Sequence, residues 1–358
     1  MTKEYYYINS YCNRNFGDDM FIISLIKRYP NASFYVCASK SILPKLNNYS
    51  NIKYESEFSF IIRRIRKKLL NIPGRVRNER KLKNAKAVIK IGGSIFIEYN
   101  GWDKNYYVDS NKNNIIIGAN FGPYDSQRYY EASKMKIENA LDCCFRDKYS
   151  LSLFSDIPHV RYAPDILFGY DYSMERKDEY IGVSVINYDN RVDKNEVSAL
   201  YEDGILKICN HYIKQHKKIK LLGFCKNEGD QLAIERIIRK AGNNKDIVSV
   251  IYDGDIDNFL DEINTCGIIY ATRFHAMIIG WSMKKEVIPI VYSQKQLHVM
   301  DDILFDKPFW NLLDKKTIPP ECFDVHGSQL SDERIAWLKL SSNEHFQFLD
   351  KQINMKHL

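Results

Sequence analysis

Along the chain, short runs of β-branched and aromatic residues alternate with longer stretches in which apolar residues recur every three or four positions. In the first half these periods predict strands near 5–8, 33–37, 87–91, 115–119 and 141–145, with helices near 19–28, 58–70 and 126–139. The pattern restarts at 181–186, with further strands near 219–224, 247–252, 267–271 and 287–292 and helices near 194–215, 228–241, 256–263 and 274–283. Such alternation implies parallel sheets covered by helices on both faces. The polar stretch 170–179 (YDYSMERKDE) separates two apolar regions and reads as a boundary. We therefore expect an α/β protein of two Rossmann-like domains, over 1–172 and 178–325, facing each other across a cleft. An amphipathic stretch at 332–353, within a tail over 326–358, is suited to pack across the junction onto the first domain. Ligands of such sheets bind where the carboxyl ends of the strands point.

A length of 358 residues, 45% hydrophobic and 27% charged, fits two cores and excludes wholesale disorder or a collagen-like repeat. No apolar run approaches the roughly 18 residues of a membrane span. The best candidate, 266–283, is broken by Arg273 and His275. The N-terminal segment carries Glu4 and no apolar signal core, so the expected location is the cytoplasm. Eight cysteines include no C-x-x-C pair and read as reduced core residues. The net charge of +7 is local: 61–83 holds ten Lys/Arg and one acid, and the remainder has 42 basic and 44 acidic residues. One patch suggests a docking surface rather than a nucleic-acid-binding chain. Dinucleotide, Walker A, zinc-protease and serine-hydrolase motifs are absent from the sequence.

Candidate chemistry lies where strands end. NRNFGDD at 13–19 opens a helix: Gly17 permits a tight turn and Asp18 or Asp19 can cap it. The functional alternative has Asn15 and Asp18 holding sugar hydroxyls, with the Asp18 carboxylate as a general base. IGGSIFIE at 91–98 places Gly92 and Gly93 after a strand, where exposed amides can bind an anion or a sugar, or simply make a tight connection. GANFGPY at 118–124 has the same character, with Asn120 at the strand's end. Arg146, after the fifth strand, can pair with a carboxylate or phosphate of a ligand, or with Asp147 or another acid of the chain. ATRFHA at 271–276 is the most informative segment: Arg273 and His275 stand at a helix N-terminus, an anion site with a group that titrates near neutrality. A histidine capping its own helix beside an arginine paired across the domain remains the structural alternative.

Phe58, Ile61, Ile62, Ile65 and Leu69 share one helical face, and Arg63, Arg64, Arg66, Lys67 and Lys68 cover the rest. Such a helix can lie on an anionic membrane, or present a solvated charged face over an ordinary core contact. The other histidines lack metal-ligand spacing. Tyr99, Trp102, Tyr106 and Tyr107 fall in a loop, where they can stack on sugar rings or pack locally.

Taken together, NRNFGDD, IGGSIFIE, IGANFGP, FRDKYSLSLF, APDILF and TRFHAMIIGWSMKKEVIPIVYSQK resemble the polysaccharide pyruvyl transferase family from about Asn13 to Lys295. The R-F-H-A element is the most specific piece, and nothing between 41 and 86 matches. The resemblance implies a fold similar to two-domain (GT-B-like) glycosyltransferases. It also implies transfer of a pyruvyl group from phosphoenolpyruvate to a sugar diol, in surface polysaccharide (capsule or exopolysaccharide) synthesis. Under that implication the N-terminal domain holds the acceptor through Asn15, Gly17, Asp18, Gly92, Gly93 and Asn120. The C-terminal domain is the donor side, and the donor's ligands are Arg146, Arg273 and His275. His275 is the candidate general acid, Arg273 a catalytic cation and Asp18 the candidate base. No cofactor or metal is required. An acceptor on a lipid diphosphate would suit a membrane-facing basic helix. The competing readings are a sugar-nucleotide glycosyltransferase, a non-catalytic saccharide-binding protein and, least favoured, a nucleic-acid partner.

Overall fold

The computed structural model describes residues 4–38, 43–46, 49–70, 78–105, 113–190 and 194–354. The chain divides into two compact units, one of Met1–Cys12, Asp18–Ile166 and Leu340–Leu358, the other of Asn13–Gly17 and Leu167–Lys339.

The first unit is built on strands β1 (Tyr6–Asn9), β2 (Phe34–Val36), β3 (Ile52–Tyr54), β4 (Val88–Ile91), β5 (Asn114–Ala119), β6 (Asp142–Phe145) and β7 (Val160–Tyr162). All pair in parallel, in the order β3-β2-β1-β4-β5-β6-β7. The helices along this stretch are α1 (Phe16–Arg28), α2 (Glu57–Leu69), α3 (Glu79–Lys83), α4 (Gln127–Glu138) and α5 (Lys148–Leu153). Burial of every β5 residue explains why it reads as a continuous apolar run rather than an alternating one. Side-chain caps set the helix starts: Ser126 accepts from the Tyr129 amide before α4, and Asp147 from the Ser150 amide before α5.

The second unit repeats the plan with β8 (Tyr180–Val185), β9 (Lys218–Gly223), β10 (Ile247–Ile251), β11 (Cys266–Ala271), β12 (Glu286–Val291) and β13 (Trp310–Asn311). Their order is β10-β9-β8-β11-β12-β13, again all parallel. The helices here are α6 (Lys194–Ile213), α7 (Asp230–Lys240), α8 (Ile256–Asn264), α9 (Phe274–Ser282) and α10 (Gln294–Asp302). In both sheets the order turns back on itself, at β1/β4 and at β8/β11. That reversal marks the crevice in which doubly wound sheets receive ligands.

Elements the periodicity did not predict are short ones. β3, β7 and β13 have three, three and two residues, and α3 and α5 have five and six. The nine-residue α10 was also missed. The expected helix at 332–353 is broken into α11 (Asp332–Ser341), a 3₁₀ turn (Ser342–Phe346) and α12 (Gln347–Asn354). The segment from 340 on belongs to the first unit. There Arg28 pairs bidentately with Asp350, and the His345 Nε2 bonds the Pro164 carbonyl at 2.9 Å. Another correction concerns α1, which starts at Phe16, so Asp18 and Asp19 sit inside its first turn instead of capping it. Two expectations about Tyr106 and Tyr107 lie outside the described residues.

Candidate functional site

In the first unit, neighbouring strands deliver polar groups to one edge of the sheet, around the β1/β4 reversal. α1, which follows β1, carries Asp18 in its first turn; Gly92 and Gly93 follow β4; Asn120 follows β5; Arg146 follows β6. The two glycines each make room for a different side chain. A methyl group on Gly92 would lie 3.4 Å from Asp18 Oδ1, and Gly92 has a φ of +152°, which side-chain-bearing residues rarely adopt. A methyl group on Gly93 would come within 2.4 Å of Arg146 Cζ, so the guanidinium lies against the bare backbone there.

Arg146 is 2% exposed and internally paired. Its Nη1 donates to Asp165 at 3.0 Å and its Nη2 to the Asn120 side-chain oxygen at 2.7 Å. The Asn120 amide donates to the Gly93 carbonyl at 2.8 Å, which ties the β4 and β5 ends together. Asp147, the neighbour considered from sequence as a partner, instead caps α5. Asp165, fully buried after β7, is a residue the sequence reading left unassigned within its APDILF match. The 163–165 segment carrying it is held from behind by His345. Burial, and then the nearby Arg161 charge, push the His345 imidazole down to about 3, so the ring is neutral in the fold.

In the second unit, α9 runs from the end of β11, and of its nine residues only His275 and Ser282 are not buried. A helix so deeply packed holds its first turn rigidly. Arg273 is the N-cap residue and its side chain makes no capping bond; its amide donates to Ser184 Oγ at 3.0 Å. The Arg273 guanidinium turns away to two acids. Nε donates to Asp230 at 3.0 Å, Nη2 donates to the other Asp230 oxygen, and Nη1 donates to Glu228 at 2.5 Å. Burial opposes its charge, but Asp230 and then Glu228 outweigh burial and raise its pKa further above the usual arginine range. Asp230 also accepts the Phe224 and Cys225 amides, at 3.0 and 2.9 Å, and so fixes the turn after β9. One guanidinium thus faces two carboxyl groups. Arg273 therefore stands in this structure as an ion-paired support beneath the α9 terminus, not as a bare cation awaiting an anion.

The 13–17 segment is seated on the same edge. Asn15 bridges Cys225, and its Nδ2 donates to Glu228 at 3.3 Å. The Phe16 amide donates to the Phe224 carbonyl at 3.0 Å, and its ring is ringed by Phe224, Tyr252 and Phe259 at centroid distances of 5.5, 5.0 and 4.7 Å. This anchoring brings Gly17 against His275: a methyl group on Gly17 would fall 1.6 Å from the imidazole Nδ1. Only a glycine leaves space for the ring. Gln296, missed from sequence, clamps the turn on its other side, donating to the Thr272 and Ile290 carbonyls at 3.2 Å. Lys295, at the last position of the sequence resemblance, holds its Nζ 5.9 Å from the ring centre of Phe274, the first residue of α9. Tyr99 is exposed, whereas Trp102 packs edge-on to Tyr129 at 5.1 Å.

A family model described as polysaccharide pyruvyl transferase matches residues 15–294, which include Asn15, Asp18, Gly92, Gly93, Asn120, Arg146, Arg273 and His275. No curated protein matches the chain in sequence. Among solved structures, UDP-GlcNAc 2-epimerase from Methanocaldococcus jannaschii in complex with UDP-GlcNAc and UDP is similar at 12% identity and a TM-score of 0.58, covering 97% of this chain and 99% of that one. A glycosyltransferase from Rickettsia africae is similar at 11% identity and a TM-score of 0.54, covering 99% of both chains. Anabaena HepE in complex with UDP and glucose is similar at 8% identity and a TM-score of 0.51, also covering 99% of both. At these identities the likeness is one of fold: the α/β architecture of two Rossmann-like units that such epimerases and glycosyltransferases share.

Proposed function

The chain belongs to the polysaccharide pyruvyl transferase family, and from that premise we propose that it moves a pyruvyl group from phosphoenolpyruvate onto two hydroxyls of a sugar, in the synthesis of a surface polysaccharide. The observation that carries this reading is the first turn of α9. There a partly exposed histidine stands in the first turn of a helix whose N-cap residue, Arg273, makes no side-chain capping bond, and Gly17 leaves room for its ring. The donor needs two things together: the positive end of a helix dipole for its phosphate or carboxylate, and a proton donor beside it.

The chemistry proceeds by proton and oxygen transfers. Protonation of C3 turns the methylene of phosphoenolpyruvate into a methyl group and gives C2 oxocarbenium character. A sugar hydroxyl adds to C2 and gives up its proton. Phosphate leaves C2, and a second hydroxyl adds and gives up its proton, closing the ketal. The two protons released balance the one taken by C3 and the one carried off with phosphate. His275 delivers the proton to C3 or to the departing phosphate. Asp18, next in sequence to Gly17, receives the hydroxyl proton or orients the acceptor.

In this proposal the expected donor ligands take supporting roles. Arg273 serves by fixing the turn under α9 through its pairs with Asp230 and Glu228, while Lys295 adds a cation near the first residue of the helix. Arg146 serves by ordering the Gly93, Asn120 and Asp165 edge of the first unit. The test is phosphate release from phosphoenolpyruvate in the presence of nucleotide-linked and lipid-linked sugars, followed by mass analysis of the sugar. The proposal expects phosphate and a pyruvylated sugar in equal amounts, with His275→Ala about 10²–10⁴ slower. Consumption of a nucleotide sugar with phosphoenolpyruvate untouched would instead favour the glycosyltransferase reading, which draws its support from the UDP bound in two of the similar structures.

A further inference from the structure

α2 is turned inside out. A surface helix normally buries its apolar face and shows its charges. In α2 the side chains that approach the body of the first unit are Ser59, Phe60, Arg63 and Lys67, all partly buried. The opposite side, about 160° around the helix axis, carries Phe58, Ile61, Ile62, Ile65 and Leu69. These are 77%, 51%, 47%, 52% and 79% exposed. The core-contact alternative left open by the sequence is thereby removed, because the apolar stripe is not on the core.

The attachment is polar. Buried Glu55 accepts from Ser59 Oγ at 2.5 Å, from Arg63 Nε at 3.2 Å and from Tyr35 at 2.6 Å. Asn78 donates to the same carboxylate at 3.1 Å. Against burial, hydrogen bonds from Ser59, Tyr35, Asn78 and Arg63 hold the Glu55 carboxyl down to about 2, so this anchor stays ionised at neutral pH. Ser56 caps the helix start by accepting from the Ser59 amide. The helix is thus held by its N-terminal half, and the outward stripe is flanked by exposed Arg64, Arg66 and Lys68.

We propose that the outward face of α2 lies in the surface of an anionic lipid bilayer, its apolar stripe entering the headgroup boundary and its flanking cations meeting acidic headgroups. Charge selects this occupant. A stripe of five large apolar side chains edged by cations is complementary to an anionic interface. A second copy of the chain would bring the same cations face to face. No described helix is long and apolar enough to cross a membrane, so the contact is peripheral. The inference does not depend on the donor or on pyruvyl transfer.

The experiment is co-sedimentation of the full chain with vesicles of phosphatidylglycerol and phosphatidylcholine, against phosphatidylcholine alone. The protein should pellet with the anionic vesicles and be released by salt. Arg64→Gln, Arg66→Gln and Lys68→Gln together should weaken binding about 100-fold. Phe58→Ser, Ile65→Ser and Leu69→Ser together should weaken it at least tenfold, with an unchanged unfolding temperature because these side chains are largely outside the core. Three results would overturn the proposal. One is no binding to anionic vesicles. Another is full binding by the apolar triple variant, which would make the contact ionic only. The third is a dimer in sedimentation that Phe58→Ser dissolves, which would assign the face to a second copy.

Discussion

Gly17→Ala is the sharpest perturbation of the candidate site, because it should separate activity from stability. Gly17 is the second residue of α1, where alanine keeps part of the roughly 1 kcal/mol advantage over glycine that it has in a helix interior. The new methyl group would meet His275 at 1.6 Å from Nδ1, 2.3 Å from Cε1 and 2.4 Å from Cγ. Carbon and nitrogen atoms in contact sit about 3.5–4 Å apart, so the ring has to move by roughly 2 Å. A proton donor must lie about 2.6–3.2 Å from the atom it serves, and such a shift takes it out of reach. The expected loss in kcat is that of His275→Ala, about 10²–10⁴. The unfolding temperature should hold or rise. In the double variant the two losses should not add, since each removes the same group. The assay is phosphoenolpyruvate-dependent phosphate release beside thermal unfolding. A Gly17→Ala protein with full activity, or one in which the losses of the two variants multiply, would refute the reasoning.

Other perturbations probe the supports. Gly93→Ala would push a methyl group to 2.4 Å from Arg146 Cζ; if the buried Arg146–Asp165 pair breaks, about 3–5 kcal/mol of stability goes with it, read from denaturant unfolding of the first unit's signal. Asp230→Ala leaves Arg273 buried beside Glu228 alone and strips the Phe224 and Cys225 amides of their acceptor, so a similar 3–5 kcal/mol loss is expected by the same measurement. His345 gives a pH signature. Its folded pKa of about 3 lies below the ordinary histidine value, so the unfolded chain binds its proton first and stability is lost as pH falls below about 6.5. The slope is at most about 1.4 kcal/mol per pH unit, or about 2 kcal/mol between pH 7 and 5. His345→Gln should flatten that stretch of the curve relative to the parent protein.

Much of the architecture was legible because both sheets consist of buried parallel strands. β5 and β12 carry the apolar runs 115–119 and 287–291 between helical periods, and such runs announce themselves. β3, β7 and β13 were silent because two or three residues hold too little period to read. The placement of the candidate segments was also legible: glycines after β4, an arginine after β6 and R-F-H at the start of α9 each mark a strand end. Their partners were not. Nothing in spacing connects Arg146 with Asp165 nineteen residues on, or Arg273 with Asp230 forty-three residues back. Those pairings depend on strand order, and they give both arginines acidic partners within the chain. The purpose of Gly17 was likewise hidden: the sequence suggested a tight turn, whereas the need is space for an imidazole from a helix 258 residues away. α2 left two readings open for a different reason, since periodicity reveals that a helix has an apolar face but not which way that face points.

Donor identity is tested most directly by thermal unfolding of the purified protein with phosphoenolpyruvate, beside inorganic phosphate and uridine-diphosphate sugars. A ligand at about 100 times its dissociation constant adds about 2.7 kcal/mol. At roughly 2–4 °C per kcal/mol, that raises the unfolding temperature by about 5–10 °C. The account predicts a shift of that size with phosphoenolpyruvate, a smaller one with phosphate and none with the nucleotide sugars. A shift with a uridine-diphosphate sugar and none with phosphoenolpyruvate would contradict it.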